Sequence, residues 1–495
     1  MDVMKKAFAF LFAAVFCASC SNFLDIRPEG TTTAISLDHT KAENIFKPVS
    51  AAYAEIRSYS SHSFPYIGCL EITSDNADKG STPEDGASTK QLDEFKYDAA
   101  NELVTAQWTG WYNIVSAANN AIEQMKLFQE ELNKDEDKAV AAQCVGDAKF
   151  IRAYAYFRLV TMFGNIPIID RMMSSEELAS QPQAAPEKVW ELIESDLDVA
   201  ISLLPDKWSK TYLGRATKYS AMALKAKAHL YQGEWNEAAK QCDAIIASGL
   251  YHLLPNFRDV FSIDQENGPE SLFEIQSSDL GKASGDEAFN TYAYVQGPRN
   301  NTPSNMQGWG FCTPSESLIK FFEQRGETVR AATTFLYSGS TTPEGDKISS
   351  DCPNPIYNGK VYTPSSYNDW SNNGYGYDYN IRIIRYSDVL LMFAEAMARG
   401  ASAAELKSGY TAQSALDEVR ARVQLAPVEA TVESILDERR AELALEEDRF
   451  MDLIRTGKAA EVLGPLGFVE GKHNLFPIPS TQLQLNPNLQ QNPKY

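Results

Sequence analysis

Histidine is scarce in this chain, and the arrangements that make hydrolases and nucleotide enzymes are missing with it. Five histidines occur in 495 residues, His39, His62, His229, His252 and His473. They are scattered and form no H-E-x-x-H pair, and neither a G-x-S-x-G elbow nor a phosphate-cradling glycine loop occurs. No loop has ordered EF-hand spacing. Positive charge is in deficit: 45 Lys and Arg stand against 66 Asp and Glu, a net charge of -21. Beyond residue 19 no basic run exceeds two residues, so a phosphate backbone would be repelled and nucleic acid is excluded as a partner. After Val15 no stretch approaches the ~18 uninterrupted apolar residues of a membrane helix. Cysteine is sparse too. Apart from Cys17 and Cys20 there are Cys69, Cys144, Cys242, Cys312 and Cys352, an odd number without metal-type spacing. Buried free thiols are the expectation, although an oxidising compartment would permit one bridge.

What is present starts with Lys5-Lys6, an apolar run from Ala7 to Phe16, and Ala18-Ser19-Cys20. A charged start, an apolar stretch too short to span a bilayer and small residues before a cysteine predict a cleaved bacterial lipoprotein signal over residues 1–19, with lipid on Cys20. Cys17 departs from the pattern, because Leu is usual there. Its spacing to Cys20 mimics a redox C-x-x-C without being one. Without this segment 476 residues remain, with a net charge of -22 once Asp2, Lys5 and Lys6 are gone. The lipid is then the sole expected attachment to a membrane.

Hydrophobic residues make up 44% of the chain and charged residues 22%, ordinary for a globular protein of one large array or two domains. The expected fold is mainly α. From Glu187 to Leu204, Val189, Ile193, Leu197, Ile201 and Leu204 share one helical face between Pro186, harmless at a first position, and Pro205, which ends the ladder. Similar periods run over 107–132, 139–162, 221–232, 234–248, 388–399 and 414–423, while strand patterns are few and short. Ala226, Ala228, Leu230, Tyr231, Gly233, Trp235, Ala238 and Ala239 follow the small/aromatic alternation of a tetratricopeptide hairpin, with Gly233 turning the chain and Trp235 filling the gap above it. A second hairpin, 390–423 with Gly400 past its first helix, predicts an α-α superhelix of such units.

Between Leu250 and Asn380 the helical period gives way to Gly, Asn, Ser, Pro and aromatics. A long, aromatic-rich, irregular stretch points to a ligand surface. Sugar recognition needs flat rings for the apolar side of a pyranose and short polar groups for its hydroxyls. Tyr292, Tyr294, Trp309, Trp370, Tyr375, Tyr377 and Tyr379 offer rings. Asn300, Asn301, Asn305, Asp369, Asn372 and Asn373 offer partners. Trp108 and Trp111 are expected in the core.

Four ordered blocks carry a resemblance. Gly146-Asp-Ala-Lys-Phe-Ile-Arg-Ala-Tyr-Ala-Tyr-Phe-Arg-Leu-Val160 with Phe163-Gly-Asn-Ile-Pro167 is similar to the signature helix of SusD/RagB-type outer-membrane lipoproteins. The stretches 385–396, 440–455 and 476–493 resemble the family's later blocks in the family's order. The blocks themselves read as structural: Phe150, Tyr154 and Phe157 lie at helical spacing, and Arg439, Arg440, Glu442, Glu446, Asp448, Arg449 and Arg455 alternate sign at about one-turn spacing, as an ion-pair network would.

The resemblance implies a lipid-anchored, surface-exposed glycan-binding protein of the outer membrane in Bacteroidetes-type bacteria, built on tetratricopeptide-like helices. It would lie over a SusC-like TonB-dependent porin and pass oligosaccharide to it, with no catalysis and no cofactor or metal. It divides the chain into the signal, a helical region over 20–249 and a loop-rich region over 250–495. It also places Gly308-Trp309-Gly310 near the ligand surface, and draws attention to Ser74-Asp-Asn-Ala-Asp-Lys-Gly-Ser81. The expected ligand contacts are Trp309, Trp370, Tyr292, Tyr294, Asp75, Asn76, Asn305 and Tyr375. Some family members carry peptides, and a tetratricopeptide scaffold that binds only protein is a third reading. The aromatic, Asn-rich surface favours sugar. A glycosidase would need only two suitably spaced carboxylates, and 66 acidic residues hide any such pair.

Overall fold

The computed structural model describes residues 37–278, 290–301, 307–367 and 378–495. Cys20, Asn305, Trp370 and Tyr375 lie outside these, as do Asp369, Asn372, Asn373 and Tyr377.

Helices dominate, and each long one packs on the next. Helix α1 (Phe46–Ile56) is followed by a short α2 (Phe64–Leu70) and by the long pair α3 (Glu102–Glu131) and α4 (Asp135–Phe163). Then come α5 (Pro186–Leu203), α6 (Lys218–Gln232) and α7 (Trp235–Ala247). Packing runs α3 on α4, α4 on α5, α5 on α6 and α6 on α7. The boundaries follow local chemistry. Asn101 caps α3 by accepting from the amides of Leu103 and Val104 at 3.1 and 3.2 Å. Pro186 opens α5. Thr217 and Ser220 form a capping box at α6, which ends at Gly233 in the left-handed conformation, φ +76°. Trp235 packs over that glycine, its ring 3.5 Å from where a Cβ would sit. The tetratricopeptide-like hairpin expected here is therefore α6–α7.

After α7 the chain forms α8 (Tyr292–Gln296), α9 (Glu316–Arg325), α10 (Thr328–Thr334), α11 (Tyr386–Ala398), α12 (Ala412–Arg422), α13 (Val432–Glu442) and α14 (Arg449–Arg455). Helix α11 continues the stack against α7 and is flanked by α12 and α13. Helices α9 and α10 depart from the expectation that the helical period is lost before Asn380. Ser315 caps α9 and Leu318 and Phe322 bury one short stripe, too few turns to stand out in sequence.

Among the described residues eight short strands pair antiparallel in twos: β1 (Ala77–Gly80) with β5 (Phe311–Pro314), β2 (Ile166–Pro167) with β3 (Gln183–Ala184), β4 (Ser271–Ile275) with β8 (Ile381–Arg385), and β6 (Phe335–Tyr337) with β7 (Ile356–Asn358).

Helix α4 is the centre of the core. From Phe150 to Val160 it is buried on every side, including Phe150, Tyr154 and Phe157, and Trp111 and Trp108 pack nearby as expected. Its two arginines are held differently. Arg152 forks onto Asp196 at 2.7 and 2.9 Å, and Arg158 donates to the Tyr66 hydroxyl at 2.7 Å while lying over the Tyr66 and Tyr154 rings. The five cysteines outside the first twenty residues are buried free thiols.

The C-terminal blocks form the expected ion-pair network. Buried Arg330 bonds Glu327, Glu438 and Glu442. Buried Arg385 bonds Glu270, Glu442 and Glu446 at 2.7–2.9 Å. Arg439 joins Asp388 and Asp452, and Lys227 reaches Asp448 from α6 at 2.7 Å. Charges this deep persist only when paired with opposite charges.

Candidate ligand-binding face

The face is built where β1 and β5 meet α8. The chain enters β5 through Gly308-Trp309-Gly310, and three backbone bonds clamp this tripeptide. The Gly308 amide donates to Pro298 O at 2.8 Å, the Trp309 amide to Tyr294 O at 2.9 Å and the Gly310 amide to Gly297 O at 2.9 Å. A Cβ on Gly308 would lie 2.3 Å from the Gly297 carbonyl oxygen, and Gly310 has φ +76°. Glycine on both sides of the tryptophan is thus required by the close approach and by the left-handed turn.

Trp309 is held by this clamp and by two rings set edge-on to it, Tyr294 at 5.8 Å and Phe64 at 6.0 Å. Phe64 in turn packs on Phe311 at 4.5 Å. Trp309 and Tyr294 are both half-buried. A ring fixed by its neighbours and still partly open to solvent is what stacking on a pyranose demands, because little side-chain entropy is then lost on binding.

A polar rim lies beside the rings. Arg299 donates to Ser81 Oγ at 3.1 Å and pairs with Asp85, and Asn354 Nδ2 donates to Ser81 O at 3.1 Å. Lys79 Nζ donates to the carbonyls of Thr82 and Asp85 at 2.7 and 3.0 Å. Slight desolvation opposes ionisation of Asp85, but Ser81, Thr82 and Arg299 outweigh it and hold the carboxyl below its ordinary range. The rim therefore offers a carboxylate, a guanidinium and an amide to hydroxyls.

Of the residues expected to contact ligand, Trp309 and Tyr294 come together here. Tyr292, Asp75 and Asn76 are placed otherwise, which corrects the expectation for them. Tyr292 is buried on the inner side of α8, its hydroxyl donating to Glu447 Oε1 at 2.7 Å. It offers no ring face to solvent. Asp75 is 5% exposed and bound by Arg449 at 2.7 Å and Arg440 at 2.8 Å. Burial works against its ionisation, and the hydrogen-bonded Arg449 with Arg440 overcomes this and keeps its carboxyl below the ordinary range. Asn76 is fully buried and accepts from Arg440 Nε at 3.0 Å. The polar stretch 74–81 is thus an arginine-locked turn leading into β1. Sequence reading missed Arg299, Asp85 and Phe64, which lie far apart in the chain without local pattern; only the Gly-Trp-Gly block signals the place where they meet.

Two cavities lie apart from these rings. One of 460 Å³ is lined by Trp108, Tyr112, Ile169, Met172, Leu178 and Leu485, and one of 430 Å³ lies beside α1.

The chain matches the family described as "Starch-binding associating with outer membrane" over residues 23–230 and the SusD family over residues 269–495. SusD-like protein P2 of Formosa agariphila is 30% identical, across 99% of this chain and 99% of its own length. A SusD-like protein of Bacteroides ovatus is 25% identical across 89% of this chain and 80% of its own. Among solved structures, a laminarin-binding SusD-like protein matches with a TM-score of 0.79 at 28% identity, over 92% of this chain and 100% of that one. Surface glycan-binding protein A of Bacteroides thetaiotaomicron, solved with laminarihexaose, shares the fold with a TM-score of 0.75 at 24% identity, over 91% and 99%.

Proposed function

This chain belongs to the SusD/RagB family, and from that premise we propose that it is a non-catalytic, glycan-binding lipoprotein of the bacterial cell surface. It captures oligosaccharide on the Trp309 face and releases it to a SusC-like TonB-dependent transporter. The observation that carries this reading is the clamped, half-buried Trp309 beside Tyr294 and the Arg299–Asp85 rim. No helix among the described residues is long and apolar enough to cross a membrane, which accords with attachment through lipid on Cys20. The first ligand to try is a laminarin-type glucan, since the laminarin-binding relative shares 28% of its residues with this chain.

Handover to a transporter requires micromolar to millimolar binding, about -8 to -4 kcal/mol. One or two stacked rings with solvent-competed hydrogen bonds fall in that range. Affinity electrophoresis and calorimetry of the chain from residue 21 onward, against laminarin, other plant, fungal and host polysaccharides and a peptide mixture, test the proposal. Binding to a glycan in that range is expected. Binding to the peptides alone would overturn it.

A further inference from the structure

We propose a divalent transition-metal site on the helical scaffold, formed by Glu194 of α5, His229 at the end of α6 and Glu234 at the start of α7. One ligand atom from each of these three residues lies within 4.8 Å of the other two. The site is separate from the Trp309 face and does not rest on the glycan reading.

The local geometry is largely preset. His229 is buried, 4% exposed, and its Nδ1 is 2.5 Å from Glu234 Oε2. The Gly233 turn sets this spacing, since its left-handed conformation reverses the chain between the two ligands. Glu194 is positioned from the neighbouring helix, its Oε1 accepting from Gln232 Nε2 at 2.8 Å. Two carboxylates therefore converge on one imidazole, and a hydrogen bond joins Glu234 to the ring. A cation placed between them at ~2.0–2.1 Å from nitrogen and oxygen opens the His229–Glu234 separation to roughly 3.3 Å and draws in Glu194. Glu234 is well exposed and free to make that adjustment.

One imidazole and two carboxylates form a borderline donor set that suits Zn²⁺, Ni²⁺ or Co²⁺ over Ca²⁺ or Mg²⁺, with water completing the coordination. Such an ion would tie three consecutive helices of the stack together, and its binding free energy would add to the folding free energy of that hairpin.

The test uses chelator-stripped full chain titrated with ZnCl₂ by calorimetry, with thermal unfolding recorded in parallel. One equivalent of Zn²⁺ bound at micromolar affinity, with a higher melting temperature, is expected. His229→Gln should weaken binding about 100-fold or more, Glu234→Gln about tenfold, and His252→Gln, at an exposed histidine, not at all. Glu234→Gln changes an exposed side chain, so it serves if His229→Gln fails to fold. No binding, or undiminished binding in Glu234→Gln and His229→Gln, would overturn the site. So would an equal response to CaCl₂.

Discussion

The ion-pair core of the C-terminal half and the Trp309 face solve opposite problems. Arg330, Arg385 and Arg439 are each buried and answered by two or three carboxylates. At the Trp309 face the order comes mainly from backbone: three hydrogen bonds from amides, Gly308 for close approach and Gly310 for a left-handed turn, with the Trp309 and Tyr294 side chains half-buried. The first arrangement fixes how helices sit against one another at a high desolvation cost, which makes each member hard to remove. The second holds ring and rim in place while the Trp309 and Tyr294 side chains stay half-buried. On the proposed reading, stability and recognition rest on different residues, and substitutions should separate them.

The largest expected effect is on the core. Arg385→Leu leaves Glu270, Glu442 and Glu446 facing one another without their common partner, and should cost about 3–5 kcal/mol in urea unfolding. A loss under about 1 kcal/mol would show that the remaining arginines carry the site alone. On the face, Gly308→Ala forces a methyl against the Gly297 carbonyl and should cost about 1–3 kcal/mol. It should weaken glycan binding by more than that loss of stability explains, because the clamp sets the ring; binding that survives intact would detach Trp309 from its clamp.

Acid–base linkage sharpens the boundary between the regions. Burial pushes the Glu71 carboxyl up to about 8, and burial with Glu71 alongside raises Glu447. The folded chain then keeps a proton on Glu71 that the unfolded chain, with an ordinary carboxyl near 4.5, has lost. Stability from this group is fully present below about pH 4.5 and falls as pH rises toward 8, by at most about 1.4 kcal/mol per pH unit for one proton. Urea midpoints at pH 5, 6.5 and 8 should fall less steeply in Glu71→Gln than in the parent, with Glu447 retaining its own share. The smallest expected effect is that of Tyr292→Phe, which removes the bond to Glu447 and should cost about 1 kcal/mol without changing glycan affinity. A drop in affinity would return Tyr292 to the ligand surface.

The scaffold was readable from sequence because its cues are local. Pro186, Gly233 and the apolar stripe from Val189 to Leu204 each act within a turn or two of their own position. Alternating charges around Arg439 announced a network, although the partners Asp388, Glu270 and Lys227 lie far off in the chain. The face was only half readable. Gly308-Trp309-Gly310 stood out, yet composition could not tell which tyrosine of Tyr292 and Tyr294 points outward, because a five-residue helix has too short a period to decide it. Asp75 and Asn76 look like loop residues, and only the arrival of Arg440 and Arg449 from residues over 360 positions away turns them inward.

Calorimetric titration of the parent and of Trp309→Ala with the glycan that binds most tightly in the panel tests the central claim most directly. The account predicts unchanged circular dichroism and at least a tenfold loss of affinity in the variant, a difference of about 1.4 kcal/mol or more. Equal affinity in the two proteins would contradict it and move glycan recognition off the Trp309 face.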